Sequence, residues 1–179
     1  MFRPQMPQRR TVKKKVKSQA QWEALIRRRL GKLLDIVLGH PSLRKMGPHK
    51  TPWYIDCAVV GKQKMTFLNT QFRGKKEPTD VLSFPGAELY FHETSYLGEL
   101  VVCLPVLLYQ AKDLKHSPEH ELDVLIIHGI LHLLGLDHDK SKSEEKLMSQ
   151  WEQRLLVEMT GKKTKKQPQA LIQRARSGT

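Results

Sequence analysis

No stretch of this chain leaves fewer options than residues 123–138, Asp-Val-Leu-Ile-Ile-His-Gly-Ile-Leu-His-Leu-Leu-Gly-Leu-Asp-His, where three histidines fall within eleven residues of an otherwise apolar run. His128 and His132 are four apart, so on a helix they stand one turn above the other on a single face. Gly135 follows, and glycine ends helices by entering the left-handed region without a Cβ penalty. A chain that reverses there brings His138 back beside the other two imidazoles. Three neutral imidazoles converging on one point form a metal site with a fourth position open, the arrangement of a catalytic rather than a structural zinc.

A lone histidine on an apolar helix face is usually a hydrogen-bonded core residue. Two at this spacing, with a third just past a glycine stop and flanked by Asp137 and Asp139, point to a metal instead. Carboxylates beside a ligating histidine fix its tautomer and raise its basicity, so these two aspartates are natural partners. His128-Gly129-Ile130-Leu131-His132 is also similar to the zincin pattern H-E-x-x-H, with one departure. The position that carries a zinc protease's general base is Gly129, which cannot take a proton from water. The pattern thus keeps the ligands and loses the protease's base.

The rest of the chain reads as one domain with two charged extensions. At 179 residues it can bury a real core, and no apolar run approaches the ~20 residues of a membrane helix. The basic N-terminus lacks the apolar segment of a secretory signal. Residues 1–17 hold seven Lys/Arg and residues 160–179 hold six, with no acid in either, and together these equal the whole formal net charge of +13. The expected organisation is a neutral body at 18–159 between basic arms at 1–17 and 160–179, and such arms usually contact nucleic acid or another polyanion. Cys57 and Cys103, far apart in apolar segments, read as reduced thiols of a cytoplasmic protein.

Ser18 with Gln21 makes a capping box for a first helix whose Trp22, Leu25, Ile26, Leu30, Leu33, Leu34, Val37 and Leu38 recur at helical spacing, stopped by Gly39 and Pro41. Tyr54–Val60 reads as a strand, and Met65, Leu68, Asn69 and Phe72 as the inner stripe of a short helix. A polar turn from Arg73 to Thr79 then leads into a strand at Val81. Arg73, Lys75 and Lys76 bunch there, and a guanidinium fork suits phosphate oxygens. Glu88–Phe91 and Gly98–Leu104 read as two more strands, the second apolar on both faces and therefore central. Pro105 opens a helix through Leu107, Leu108 and Ala111. Ser117-Pro118-Glu119 starts the histidine helix, and Ser143-Glu144-Glu145 caps a last helix with Leu147, Met148, Trp151, Leu155 and Val157 inside. The order of elements is that of an α+β fold, a small mixed sheet packed with helices.

Three segments resemble the YbeY family of metal-dependent endoribonucleases. They are Leu68-Asn69 through Lys75 with Pro78-Thr79-Asp80-Val81-Leu82-Ser83-Phe84-Pro85, then Gly98-Glu99-Leu100-Val101-Val102-Cys103, then His128-Gly129-x-Leu131-His132-Leu133-x-Gly135-x-Asp137-His138. The family commonly has Gly-Asp where this chain has Gly98-Glu99, and its usual termini are short, so the arms have no counterpart. The resemblance implies a zincin-like single domain, His128, His132 and His138 as ligands of one zinc per chain, and a role for Arg73 in the reaction on RNA. It also implies single-strand-specific cleavage in ribosomal RNA processing, including 16S rRNA 3′ end maturation and ribosome quality control, with ribosomal particles as partners. Two other readings stand beside it: a zincin-type metallopeptidase, and a non-catalytic RNA-binding assembly factor. Glu99 and Asp137 are the candidate proton acceptors.

Overall fold

A computed structural model describes residues 17–49, 51–86 and 95–161. The elements run α1 (Gln19–Leu38), α2 (Pro41–Arg44), β1 (Trp53–Val60), α3 (Lys62–Arg73), β2 (Val81–Pro85), β3 (Ser95–Cys103), α4 (Leu104–Asp113), α5 (Pro118–Leu133) and α6 (Lys142–Thr160). The three strands form one sheet in the order β1-β3-β2, with β3 parallel to β1 and antiparallel to β2. This is the expected α+β single domain with a small mixed sheet. The strand apolar on both faces is indeed the central one, because only a strand covered on both sides needs no polar alternation.

Local signals place the helix starts. Ser18 Oγ accepts from the Gln21 amide while Gln21 Oε1 accepts from the Ser18 amide, a complete capping box. Ser117 Oγ accepts from the His120 amide with Pro118 in the first turn of α5. The sheet divides the core. Leu100 and Val102 of β3 join residues of α1, α5 and α6 in the main cluster, and Val101 and Cys103 join Met65 of α3 and Leu82 of β2 in a smaller one. α5 is the central helix, with eleven of its residues buried. Its apolar residues cover nearly the whole circumference, as a helix enclosed by neighbours requires.

Three expectations change. α6 is capped earlier than expected, by Ser141, whose Oγ accepts from the Glu144 amide. Its inner face is Met148, Glu152, Leu155, Leu156 and Met159, while Leu147 is exposed and Val157 only half-buried. On α3 only Met65 and Asn69 are buried, and Phe72 is 62% exposed with its ring edge-on to Phe84 at 4.9 Å. Phe72 stands in the helix's last turn, and its ring rests on the exit of the short strand β2 rather than in the core. Arg73 belongs to the end of α3 rather than to the turn after it. Cys103 is buried, Cys57 is half-buried, and both are free. The strand expected at Glu88–Phe91 and nearly all of both basic arms lie outside the described residues, although Lys17 pairs with Glu119 at the start of α5. Among the described residues no helix is long and apolar enough to cross a membrane.

Candidate metal centre

His128 and His132 project from the last two turns of α5, and the chain then turns back sharply. The Gly135 amide donates to the His132 carbonyl at 2.9 Å and the Leu136 amide to the Leu131 carbonyl at 3.1 Å. Gly135 takes φ +88°, the left-handed conformation this reversal requires. Leu136, 3% exposed, then buries itself and pins the returning chain. Asp137 Oδ1 accepts from the Asp139 amide at 3.0 Å, a local turn that presents His138.

The three imidazoles converge. Ring centroids lie 4.6 Å (His128–His132), 5.5 Å (His128–His138) and 5.2 Å (His132–His138) apart. One nitrogen from each lies within 4.8 Å of the others, and among the described residues this is the group able to hold a metal ion. Nε2 of His128 and Nε2 of His132 are 3.1 Å apart. Two nitrogens bound tetrahedrally to zinc at ~2.0–2.1 Å would be about 3.3 Å apart, so this spacing already fits an ion between them. His138 Nδ1 is buried without a hydrogen-bonding partner, the state of a ring nitrogen that needs a ligand. Burial, then the neighbouring His128 and His138, pushes the His132 pKa down to about 3, with the Arg73 charge acting in the same direction and Asp137 opposing it. His132 is therefore held in the neutral form that ligation demands.

Behind His128 stands a residue that sequence reasoning missed. Glu152 Oε1 of α6 lies 2.8 Å from His128 Nδ1, with the Glu152 side chain 7% exposed. The expected carboxylate partners are weaker. Asp139 Oδ1 is 3.4 Å from His138 Nε2 on a side chain 75% exposed, and Asp137 engages the Asp139 amide. Glu152 lies 24 positions from its partner. Its only sequence signal is an acid on the apolar stripe of α6, between Met148 and Leu155.

Arg73 is exposed at the C-terminus of α3, where Gly74 caps the helix at φ +70°. Asn69, buried on α3, donates from Nδ2 to the Glu77 carbonyl at 2.7 Å, and the Thr70 hydroxyl donates to the Lys75 carbonyl at 3.0 Å. These bonds fix the backbone turn that carries Lys75 and Lys76 beyond Arg73, and the Arg73 charge is felt at His132. Glu99 pairs across the sheet with Asp56 and Phe84, and its charge acts on Cys57 and Tyr96. Of the two expected proton acceptors, Asp137 is the one whose charge acts on His132.

Gly129 faces the sheet. A Cβ there would lie 2.7 Å from Leu100 Cδ2 and 3.2 Å from Ser83 Oγ. The side chain of a zincin-type glutamate would begin inside the packing between α5 and the sheet.

Comparison with known proteins gives the chain's family. A family model described as Endoribonuclease YbeY matches residues 11–160. A protein of Thermodesulfovibrio yellowstonii named Endoribonuclease YbeY is 42% identical over 109 residues, 60% of this chain and 69% of that one. An Acinetobacter baumannii protein of the same name is 34% identical over 139 residues, 75% of this chain and 84% of its own length. The solution structure of a Thermotoga maritima protein superposes with a TM-score of 0.53 at 27% identity, over 82% of this chain and 86% of that one.

Proposed function

The chain belongs to the endoribonuclease YbeY family, and we propose that it is a zinc-dependent endoribonuclease that cuts single-stranded RNA in the maturation of ribosomal RNA. The observation that carries the reading is the meeting of His128, His132 and His138 at one point, with the Arg73 cation acting on the same site. The three histidines would hold one zinc ion, which supplies Lewis acidity toward a phosphoryl oxygen and toward the attacking water. Arg73 binds the scissile phosphate through its planar fork and offsets the charge that develops on it. Lys75 and Lys76 extend that positive surface along the strand to be cut. Asp137, whose charge acts on His132, would accept the proton. Burial and the neighbouring imidazoles hold His132 in the neutral form that can bind the ion.

The acid-free arms at 1–17 and 160–179 fit contacts to the RNA backbone or to ribosomal particles, and the free thiols of Cys57 and Cys103 suit the reducing cytoplasm. The metallopeptidase reading loses support because position 129 points into the sheet rather than toward the imidazoles. Purified protein incubated with single-stranded RNA or with casein, with and without chelator, separates the readings. RNA cleavage that stops with chelator and with His132→Ala is expected. Chelator-insensitive cleavage, or casein hydrolysis alone, rules the proposal out.

A further inference from the structure

The structure assigns Glu152 as the positioning residue of the metal centre: its carboxylate holds His128 in the tautomer and orientation that present Nε2 to the ion. This rests on the three-histidine reading above and adds a residue from a helix that carries none of the ligands. An imidazole has two nitrogens, and when neutral only one carries hydrogen. Nδ1 of His128 lies 2.8 Å from an oxygen of a carboxylate, which can accept but not donate, so Nδ1 is the donor and Nε2 keeps its lone pair. That lone pair is on the side where His132 Nε2 waits 3.1 Å away. Glu152 is not itself a ligand. Its oxygen engages the far side of the ring, and it stands outside the group of atoms that converge on the metal position.

The position of Glu152 argues for function rather than packing. It is 6% exposed on a stripe otherwise made of Met148, Leu155, Leu156 and Met159. An apolar residue there would serve the core better, since a nearly buried carboxylate adds desolvation cost that packing alone does not return. The His128 bond is what that carboxylate obtains. A charged acceptor also makes the ring a stronger donor to the ion, and loss of such partners typically weakens metal binding by ~10–100-fold. Through His128 the bond would also brace a bound metal from α6. α6 is anchored to α1 by Lys32 Nζ donating to the Met159 carbonyl at 2.7 Å, so the ring is braced from a fixed helix rather than a loop.

Two readouts independent of turnover test this on the full-length chain. The first is zinc affinity, measured by competition with a chelator, for wild type, Glu152→Gln and Glu152→Leu. Gln keeps an acceptor oxygen and loses the charge, so affinity should fall ~10-fold, and Leu removes both, so it should fall ~100-fold. A purely structural role predicts the opposite pattern: Glu152→Leu would shift thermal stability and leave zinc affinity untouched. The second is the nitrogen NMR of His128 in metal-free protein. Hydrogen on Nδ1 is expected in wild type, with the tautomer preference abolished in Glu152→Leu. Wild-type zinc affinity in a folded Glu152→Leu protein, or wild-type His128 carrying its hydrogen on Nε2, overturns the assignment. A wild-type protein that binds no zinc while His128 is still Nδ1-protonated would count against the proposed function and not against the Glu152–His128 bond.

Discussion

Gly129→Ala is the substitution whose outcome turns on one contact. Alanine is the better helix former by ~1 kcal/mol, so in an exposed helix the change would stabilise. Here the added methyl would lie 2.7 Å from Leu100 Cδ2 and 3.2 Å from both Leu100 Cδ1 and Ser83 Oγ. Leu100 is fully buried on the central strand, so its methyls can yield only by displacing packed neighbours. Overpacking costs ~1–3 kcal/mol, and a contact as short as this one belongs to the upper part of that range at ~2–3 kcal/mol. With the propensity gain of ~1 kcal/mol subtracted we expect a net loss of about 1–2 kcal/mol. For a body of this size that lowers the melting temperature by ~3–8 °C. Where relief comes from α5 lifting off the sheet, His128 and His132 move with it, so zinc affinity should fall with stability. Gly129→Glu goes further, placing a charge against Leu100, and should yield misfolded protein rather than a peptidase. The assays are thermal unfolding with and without zinc and casein hydrolysis by the glutamate variant. A Gly129→Ala protein more stable than wild type would refute the close-packing account, and casein cleavage by Gly129→Glu would refute the case against the peptidase.

Arg73→Lys should stay folded and metal-bound but lose most of its turnover, because a lysine cannot make the paired contact of a guanidinium to a phosphate; a wild-type rate removes Arg73 from the reaction. A protein shortened to residues 18–159 should bind long single-stranded RNA with a shallower salt dependence than the full chain, by ~0.7 in log–log slope for each phosphate that the arms neutralise; equal slopes show that the arms do not touch RNA. Asp123, 2% exposed, has its pKa raised from 3.8 to about 6, first by burial and with opposition from Arg29 3.5 Å away. An acid raised in the fold favours folding while protonated and loses that contribution as pH rises from about 4 to 6. In metal-free protein Asp123→Asn should therefore match wild type near pH ~4 and exceed it near pH ~7.5, by up to ~3 kcal/mol in urea unfolding. A wild type that gains on the asparagine variant with rising pH would show that the Arg29 pair outweighs the burial.

Much of the site was legible in the residue order. The His128–His132 spacing, the Gly135 reversal, the capping box at Ser18 and the cap at Ser117 all involve partners within a few positions, and such contacts form in the same way whatever surrounds them. That residues 1–17 and 160–179 carry the whole formal net charge followed from counting. The central position of β3 followed from its two apolar faces. Other features depended on how helices are rotated about their axes and how strands are registered, which the whole core decides together. Glu152 meets His128 because α6 packs beside α5 at one rotation, and Gly129 is closed to a side chain because α5 lies directly on Leu100. Phe72 continues the periodic stripe of Met65 and Asn69 yet stands 62% exposed, with its ring edge-on to Phe84 of β2. Periodicity predicts which residues share a face, but only the neighbouring element determines how far along that face there is anything to cover it.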